Sequence, residues 1–486
     1  MINSPPAEPA TRSVYVLIGA LALIGLGLRI AGAQGGLWLD EAWSADFARK
    51  AKSPIDIFFV IHHDNNHYLN TLWMYLAGWG APPMVSRLLS IVTGTVTILI
   101  GGLIGLRRGA IQGILLALFF AISPMLVAYG AEARGYAPMF LALTSMIWVV
   151  ARWLDHQQAP VPSMPLALIT AFGMLSHLTM LFALIGIGLW STAVLAKGRS
   201  LRELIAVTVD LFGLSAIVAA GILVMAIAVP LLGPTGFQFG GYDPFSMRTL
   251  GIGLSVLFEY VLGLRGPIAY VMLPSLLLLL PLFFASRTAD RSFILLCIAA
   301  LLTVPVLFVV ARIANAAFAR YQLLTCFGLL LVASEVIASG WMRGSWRKPL
   351  ALVALGTLVI GQFCITLSII TNKRADPSAA ITAMASRAPG GASISVGHMR
   401  DVPVIEAAAA TARYPLKIKE TCPGAHFAFL AAPDFPDLPP STTVCDMHYT
   451  GIAGAARTEL SGMSWRLYAR DDVQAARRSS AARSTS

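Results

Sequence analysis

The chain has 486 residues, 57% of them hydrophobic and 12% charged, with a mean hydropathy of +0.74 and a net charge of +11. Soluble proteins carry roughly 25% charged residues, so the composition excludes an ordinary soluble domain and points to a polytopic membrane protein. The excess of Lys and Arg does not call for nucleic acid, because much of it falls in short clusters between apolar runs, as the positive-inside rule requires.

A membrane span needs about 20 apolar residues. The run from Val14 to Ile30 has no small-residue cleavage site after it and reads as a retained first span. Taken in order, the expected spans are 13–33, 84–106, 110–129, 136–153, 163–177, 178–196, 204–230, 267–285, 292–311, 321–340 and 349–371. The segments 163–177 and 178–196 are short and read as kinked helices, or one of them as re-entrant. With a cytoplasmic N-terminus, the clusters at Arg12, Arg107-Arg108, Arg152, Lys197 to Arg202, Arg287 to Arg291 and Arg343 to Lys348 fall on alternate loops. An odd number of spans, about 11, accounts for that alternation. Loops 34–83 and 231–266 and the tail from 372 then face outward. Asp210 and Glu335 lie toward cytoplasmic ends and read as structural.

In loop 34–83, Ile55, Ile57, Phe58, Phe59 and Val60 lie beside Arg49, Lys50 and Lys52. That pattern predicts helices lying in the membrane interface, in contact with lipid headgroups. Segment 247–264 is similar. From about Ala375 the chain turns polar. Strands are expected at 393–396, 416–418, 426–430 and 465–468, with a helix over 402–414, and hence a small α/β domain. The expected organisation is therefore 1–371 as an all-α membrane bundle, 372–475 as an extracytoplasmic α/β domain, and 476–486 as a basic tail without order. Cys297, Cys326 and Cys364 read as buried small hydrophobes, whereas Cys422 and Cys445 form a disulfide if the tail lies in an oxidising compartment.

Four constellations carry chemistry. Asp40-Glu41 stands in Leu37-Trp38-Leu39-Asp40-Glu41-Ala42-Trp43, and carboxylates beside a bilayer are costly unless paired, solvated or useful. One such acid suffices as a general base, and its neighbour can orient a metal, an arginine or an acceptor. The competing reading is a pair of acids in a first helical turn. His62, His63, Asp64 and His67 follow. His63 and His67 share a helical face, as metal ligands do, but no further ligand pattern accompanies them. Gripping a sugar or phosphate, together with Tyr68, is the other use. The third constellation is Glu132-Ala133-Arg134-Gly135-Tyr136, on an outward turn, where an arginine can bind phosphate oxygens or lock a carboxylate. The alternative is an aromatic belt with one ion pair. The fourth is Arg320-Tyr321, a cation at headgroup level that either clamps a lipid phosphate or merely snorkels. Arg87, three residues into its span, and His177, at the outward end of its own, are weaker candidates: Arg87 is either interfacial or reaches the site, and His177 either serves the site or is a satisfied polar residue between helices.

The ordered set resembles the GT-C superfamily of membrane glycosyltransferases, in its protein-O-mannosyltransferase-like branch. That branch includes bacterial aminoarabinose and galacturonic acid transferases acting on lipid A and lipopolysaccharide core. The likeness runs through Trp38-Leu39-Asp40-Glu41, the stretch His63 to Tyr75, Arg87 in Val85-Ser86-Arg87-Leu88, Ser123-Pro124 with Glu132 to Tyr136, and Arg320-Tyr321. It covers residues 10–200 well and the rest loosely, and the tail lies outside it. The resemblance implies a polyprenyl-phosphate-sugar donor, an outward-facing site in a bacterial inner membrane, inversion at the anomeric carbon, and Asp40 as base with Glu41 as the accompanying acid. The acceptor is then a lipid, polysaccharide or protein outside the cytoplasm. No cofactor is expected, with a divalent metal left open. The alternative is a transporter or flippase for a lipid-linked sugar. Transporters usually place polar residues at the midplane and often show repeats, whereas here ionisable residues crowd one surface and no repeat is visible.

Overall fold

The computed structural model describes residues 11–61, 67–232, 243–265, 290–419, 424–433, 435–444 and 446–472. The chain forms two compact units, one of residues 1–30, 58–70 and 89–367, the other of residues 31–57, 71–88 and 368–486.

The helices in chain order are α1 (Arg12–Gly32), α2 (Leu39–Lys50), α3 (Asp56–Phe59), α4 (Tyr68–Ala77), α5 (Pro83–Ser86), α6 (Leu88–Leu106), α7 (Ala110–Ile122), α8 (Pro124–Gly130), α9 (Tyr136–Asp155), α10 (Ser163–Ser176), α11 (Met180–Leu195) and α12 (Leu201–Leu232). After these come α13 (Met247–Leu262), α14 (Arg291–Ala311), α15 (Leu323–Arg343), α16 (Arg347–Asn372), α17 (Ser378–Ala385) and α18 (Val402–Ala412). Among the described residues, seven helices are long and apolar enough to cross a membrane: α1, α6, α9, α12, α14, α15 and α16. The chain is a multi-pass membrane protein with a helical bundle, as composition required. The expected span 267–285 lies outside the described residues.

The first unit holds the bundle. Expected span 110–129 is broken into α7 and α8, which meet at 57°. Pro124 opens α8, where its missing N–H is tolerated, and its ring drives Ser123 out of the helical region to φ −55°, ψ 122°. The carbonyls released at the end of α7 are met by Arg29 of α1, which donates to the Phe120 oxygen at 3.1 Å and the Ala121 oxygen at 3.4 Å. Helix α10 has 14 residues and α11 has 16, about 21 and 24 Å at 1.5 Å per residue. At the other end of α7, Arg108 pairs with Glu335 of α15 at 2.8 Å and with Asp290 at 2.9 Å. Asp290 also caps α14 by accepting from the Ser292 and Phe293 amides. Glu335 is thus the structural acid expected of it.

The second unit is built on a six-stranded mixed sheet in the order β2-β1-β3-β6-β5-β4. Its strands are β1 (Ala392–Val396), β2 (Leu416–Ile418), β3 (Phe427–Ala432), β4 (Ser441–Val444), β5 (Met447–Ala455) and β6 (Ser464–Arg470). Strands β1, β2 and β3 are parallel, and β3 to β6 to β5 to β4 run antiparallel. Helix α18 makes the crossover between β1 and β2. Phe429 stacks on Trp465 at 5.6 Å in the core. The strand-containing tail domain is present as expected. Strands β4 and β5 go beyond the expectation, because Gly451, Ala453, Gly454 and Ala455 give β5 little apolar alternation to read. Helix α2 belongs to this unit: Trp43 Nε1 donates to the Arg400 oxygen at 2.8 Å, and Arg49 bridges to Glu406 of α18 at 2.5 Å.

Candidate active site

Within the first unit the structure gathers residues that are far apart in sequence. The short turn between α8 and α9 carries Glu132, Arg134 and Gly135; Tyr136 opens α9. Glu132 is wholly buried and Arg134 nearly so. His67, just before α4, is 3% exposed, and its Nε2 lies 2.9 Å from Arg134 Nη2 and 3.3 Å from Arg134 Nε. A guanidinium has no acceptor, so Nε2 must present its lone pair and the ring proton sits on Nδ1. A His67 ring N–H is satisfied by the Ser176 carbonyl. The Gly135 amide also approaches Nδ1, at 3.1 Å, but it can bind there only if that nitrogen is bare. The arginine decides between the two tautomers. Burial, with the charge of Arg320 second, pushes the His67 imidazole down to about 3, so it is a permanently neutral acceptor.

His177 stands between α10 and α11, with its ring 4.7 Å from that of His67 and 4.7 Å from that of Tyr136. Its Nδ1 is 2.7 Å from the Thr179 hydroxyl. Tyr129 packs on Tyr136 at 4.9 Å, and Tyr321 approaches His177 at 6.1 Å. The single 3₁₀ turn Ala319–Tyr321 places Arg320 over Phe318 at 4.4 Å and over Tyr321 at 5.4 Å. Both Arg134 and Arg320 act electrostatically on Tyr136 and on His177. Two cations from turns nearly 190 residues apart therefore converge on one group of imidazole and phenol rings. Tyr68, next to His67 in sequence, is buried and stacked on Phe58 at 5.7 Å.

The second unit holds the acidic pair. Asp40 is half-buried as the second residue of α2, and its carbonyl accepts from the Ser44 hydroxyl at 3.1 Å. Glu41 is fully buried. Its two carboxylate oxygens accept from Arg87 Nε at 2.8 Å and Nη2 at 2.6 Å, and the Trp38 amide reaches Oε2 at 3.2 Å. Arg87 is also fully buried and donates onward to the carbonyls of Ala33, Gly35 and Gly36 at 2.7, 2.8 and 2.8 Å. Arginine has five N–H groups, and here all have acceptors. Arg87, expected to be interfacial or to reach the site, thus has every N–H bound to the chain. Glu41, expected beside the base as the acid that orients a metal, an arginine or an acceptor, is paired with an arginine and fully buried.

His63 and Asp64 lie outside the described residues, as do Cys422 and Cys445. Among the described residues, no three His, Cys, Asp or Glu side chains gather in a way that holds a metal ion. Several supporting side chains went unnoticed in the sequence. Asn70 Nδ2 donates to the Ala133 oxygen at 2.6 Å and the Ser90 hydroxyl to the Arg134 oxygen at 3.0 Å, so both fix the Glu132–Arg134 turn. Small polar residues inside apolar helices give no pattern that would single them out. Arg29 had a visible signal, a cation within a span, which by itself marks a residue with a task.

The coordinates superpose on the crystal structure of ArnT from Cupriavidus metallidurans bound to undecaprenyl phosphate. The TM-score is 0.58 at 13% identity, over 94% of this chain and 98% of that one. The same protein in the apo state gives 0.57 at 13% identity, over 93% and 97%. The apo oligosaccharyltransferase of Archaeoglobus fulgidus gives 0.50 at 12% identity, over 83% of this chain and 64% of that one. No protein-family model and no curated protein sequence matches the chain. At such identities the likeness is one of fold: the chain shares the fold of ArnT over nearly its whole length and that of the oligosaccharyltransferase over 83% of it.

Proposed function

We propose that this GT-C-fold chain is an inverting glycosyltransferase of a bacterial inner membrane, which moves a sugar from a polyprenyl-phosphate donor to an acceptor outside the cytoplasm. The observation that carries the reading is the convergence of Arg134 and Arg320 on one buried ring cluster. Two fixed guanidiniums suit a phosphate, and preorganised cations are most effective where negative charge develops during reaction. His67 holds Arg134 in place without competing for its charge, since it stays neutral. The undecaprenyl phosphate in the ArnT crystal structure supports the class of donor.

In the proposed reaction Asp40 takes the proton of an acceptor hydroxyl. The oxygen forms a bond to the anomeric carbon from the face opposite the phosphate, and the bond from that carbon to the phosphate oxygen breaks. Polyprenyl phosphate departs with the electron pair, and its charge is met by Arg134 and Arg320. A phosphate leaves without acid help, so one base suffices. Glu41, locked by Arg87, sets the orientation of the helix that bears the base.

The test is Asp40→Asn in cells, with the surface glycolipid and glycoprotein profile as readout. Loss of one modification from a stably expressed variant is the expected result. A normal profile at normal expression refutes the base assignment. Arg134→Ala and Arg320→Ala are expected to lower transfer strongly as well, because each removes stabilisation of the departing phosphate.

A further inference from the structure

We propose that the turn Lys373–Asp376, where α16 ends, is a positioning device for the helix that carries Asp40. The inference rests on the reading of Asp40 above for its catalytic half only; the mechanical half stands on geometry within the second unit.

The connection from α1 to α2 is Ala33-Gln34-Gly35-Gly36-Leu37-Trp38; Leu37 and Trp38 are buried, whereas the part before them has little side-chain bulk to anchor itself. Arg87 holds its carbonyls at Ala33, Gly35 and Gly36. The turn holds the rest. Arg374 Nη1 donates to the Gly32 oxygen at 2.8 Å, and Asp376 Oδ1 accepts the Gly36 amide at 2.7 Å. Gly36 is thus bound at both its N–H and its C=O, four residues before Asp40. The fit is close: a Cβ on Gly35, whose φ is +87°, would lie 3.1 Å from Asp376 Cγ and 3.2 Å from Lys373 Cβ.

The turn itself is strained. Lys373, Arg374 and Ala375 have φ of 49°, 60° and 57°, three successive non-glycine residues in the left-handed region. L-residues occupy that region at a cost, usually one at a time, and such strain persists only where the surroundings over-determine it. The surroundings do so here. Trp465 Nε1 of β6 donates to the Ala375 oxygen, and a Cβ on Gly462 would come within 2.6 Å of the Arg374 oxygen. Asp376 Oδ1 also accepts from the Ser378 amide at 2.9 Å and hydroxyl at 2.6 Å. Arg374 and Ala375 are 3% and 1% exposed. A run that served only to end a helix needs one left-handed residue. Three in succession, tied to the sheet at one end and to the Gly-rich connection at the other, turn the sheet into a fixed reference for the start of α2.

The full-length protein in lipid nanodiscs tests this with two readouts. In Asp376→Ala and Arg374→Met, amide exchange across residues 32–43 is expected to rise about 10-fold or more. Turnover of a polyprenyl-phosphate sugar is expected to fall about 10-fold, with KM for that donor changed less than about twofold, since only the base is misplaced. Asp376→Asn, which keeps the acceptor oxygen, is expected to restore both. Arg374→Lys serves in place of any variant that fails to fold. Unchanged exchange and unchanged turnover in folded Asp376→Ala overturn the proposal. If Asp40→Asn transfers sugar normally, the base assignment is lost; amide exchange then decides the positioning role, and unchanged exchange ends it.

Discussion

The pairing of His67 with Arg134 illustrates how one proton fixes a site. A histidine that must accept from a guanidinium cannot itself become a cation, and burial enforces the same state. The folded ring binds its proton with a pKa of about 3, below the ordinary 6.5. The sign follows directly: the unfolded chain binds more protons as pH falls through 6.5. The stability owed to neutral His67 is therefore complete above 6.5 and is lost at about 1.4 kcal/mol per pH unit below it, down to the folded pKa. The His67 ring resonances are expected to show no protonation between pH 7 and 4.5 in the folded protein. His67→Gln is expected to flatten the acid limb of the melting curve against pH, and an unchanged limb counts against the assignment. At the same scale, Glu41 and Arg87 are both fully buried and doubly bonded. Removing one partner strands a charge, so Glu41→Ala or Arg87→Ala is each expected to cost about 3–5 kcal/mol. The double variant should cost much less than their sum. Additive losses in denaturant unfolding contradict the pairing.

Among the elements, the broken span of α7 and α8 does most to shape the first unit's site. Proline ends one helix early, Arg29 caps the freed carbonyls, and the displaced α8 delivers Tyr129 and the Glu132–Arg134 turn to the ring cluster. The turn must then pass very close to the end of α10. A Cβ on Gly135 would lie 1.7 Å from the Ser176 oxygen and 2.8 Å from His67 Nδ1. Gly135 has an ordinary φ of −79°, so its need is for space and not for conformation. Gly135→Ala is expected to destabilise by about 1–3 kcal/mol, as overpacking does, and to lower activity by pushing His67 away from Arg134. Wild-type melting and activity in this variant contradict the packing described. Helix α12 is the contrasting element. It is apolar and exposed over most of its length, which suits a helix facing lipid.

For the whole molecule, the second unit shows that the acidic loop and the tail fold together. Helix α2 packs on α18, and the Gly32–Gly36 stretch is bound by the turn after α16. Deleting residues 373–486 is therefore expected to loosen α2 and abolish transfer even though Asp40 remains. Exchange protection retained at residues 39–48 in such a truncation contradicts this. The expected topology has its own check. Ser386 is exposed in the tail domain, so Ser386→Cys should react with an impermeant thiol reagent from outside intact cells. Reaction only after lysis contradicts an outward tail.

The sequence by itself determined the membrane class, most of the helices, the strand-bearing tail and the order of the motifs, because apolar runs and alternating patterns are local properties of the chain. It placed Arg134, Arg320, His67 and His177 among the candidates from residue type and position alone. Only the tertiary structure decided what they do to one another. Arg87 was read as interfacial or as reaching the site; in space all five of its N–H groups are taken, two by Glu41 and three by backbone carbonyls, which no residue type announces. The strained turn at Lys373–Asp376 was likewise silent, since a left-handed run of Lys, Arg and Ala goes against local preference and exists only where distant groups hold it.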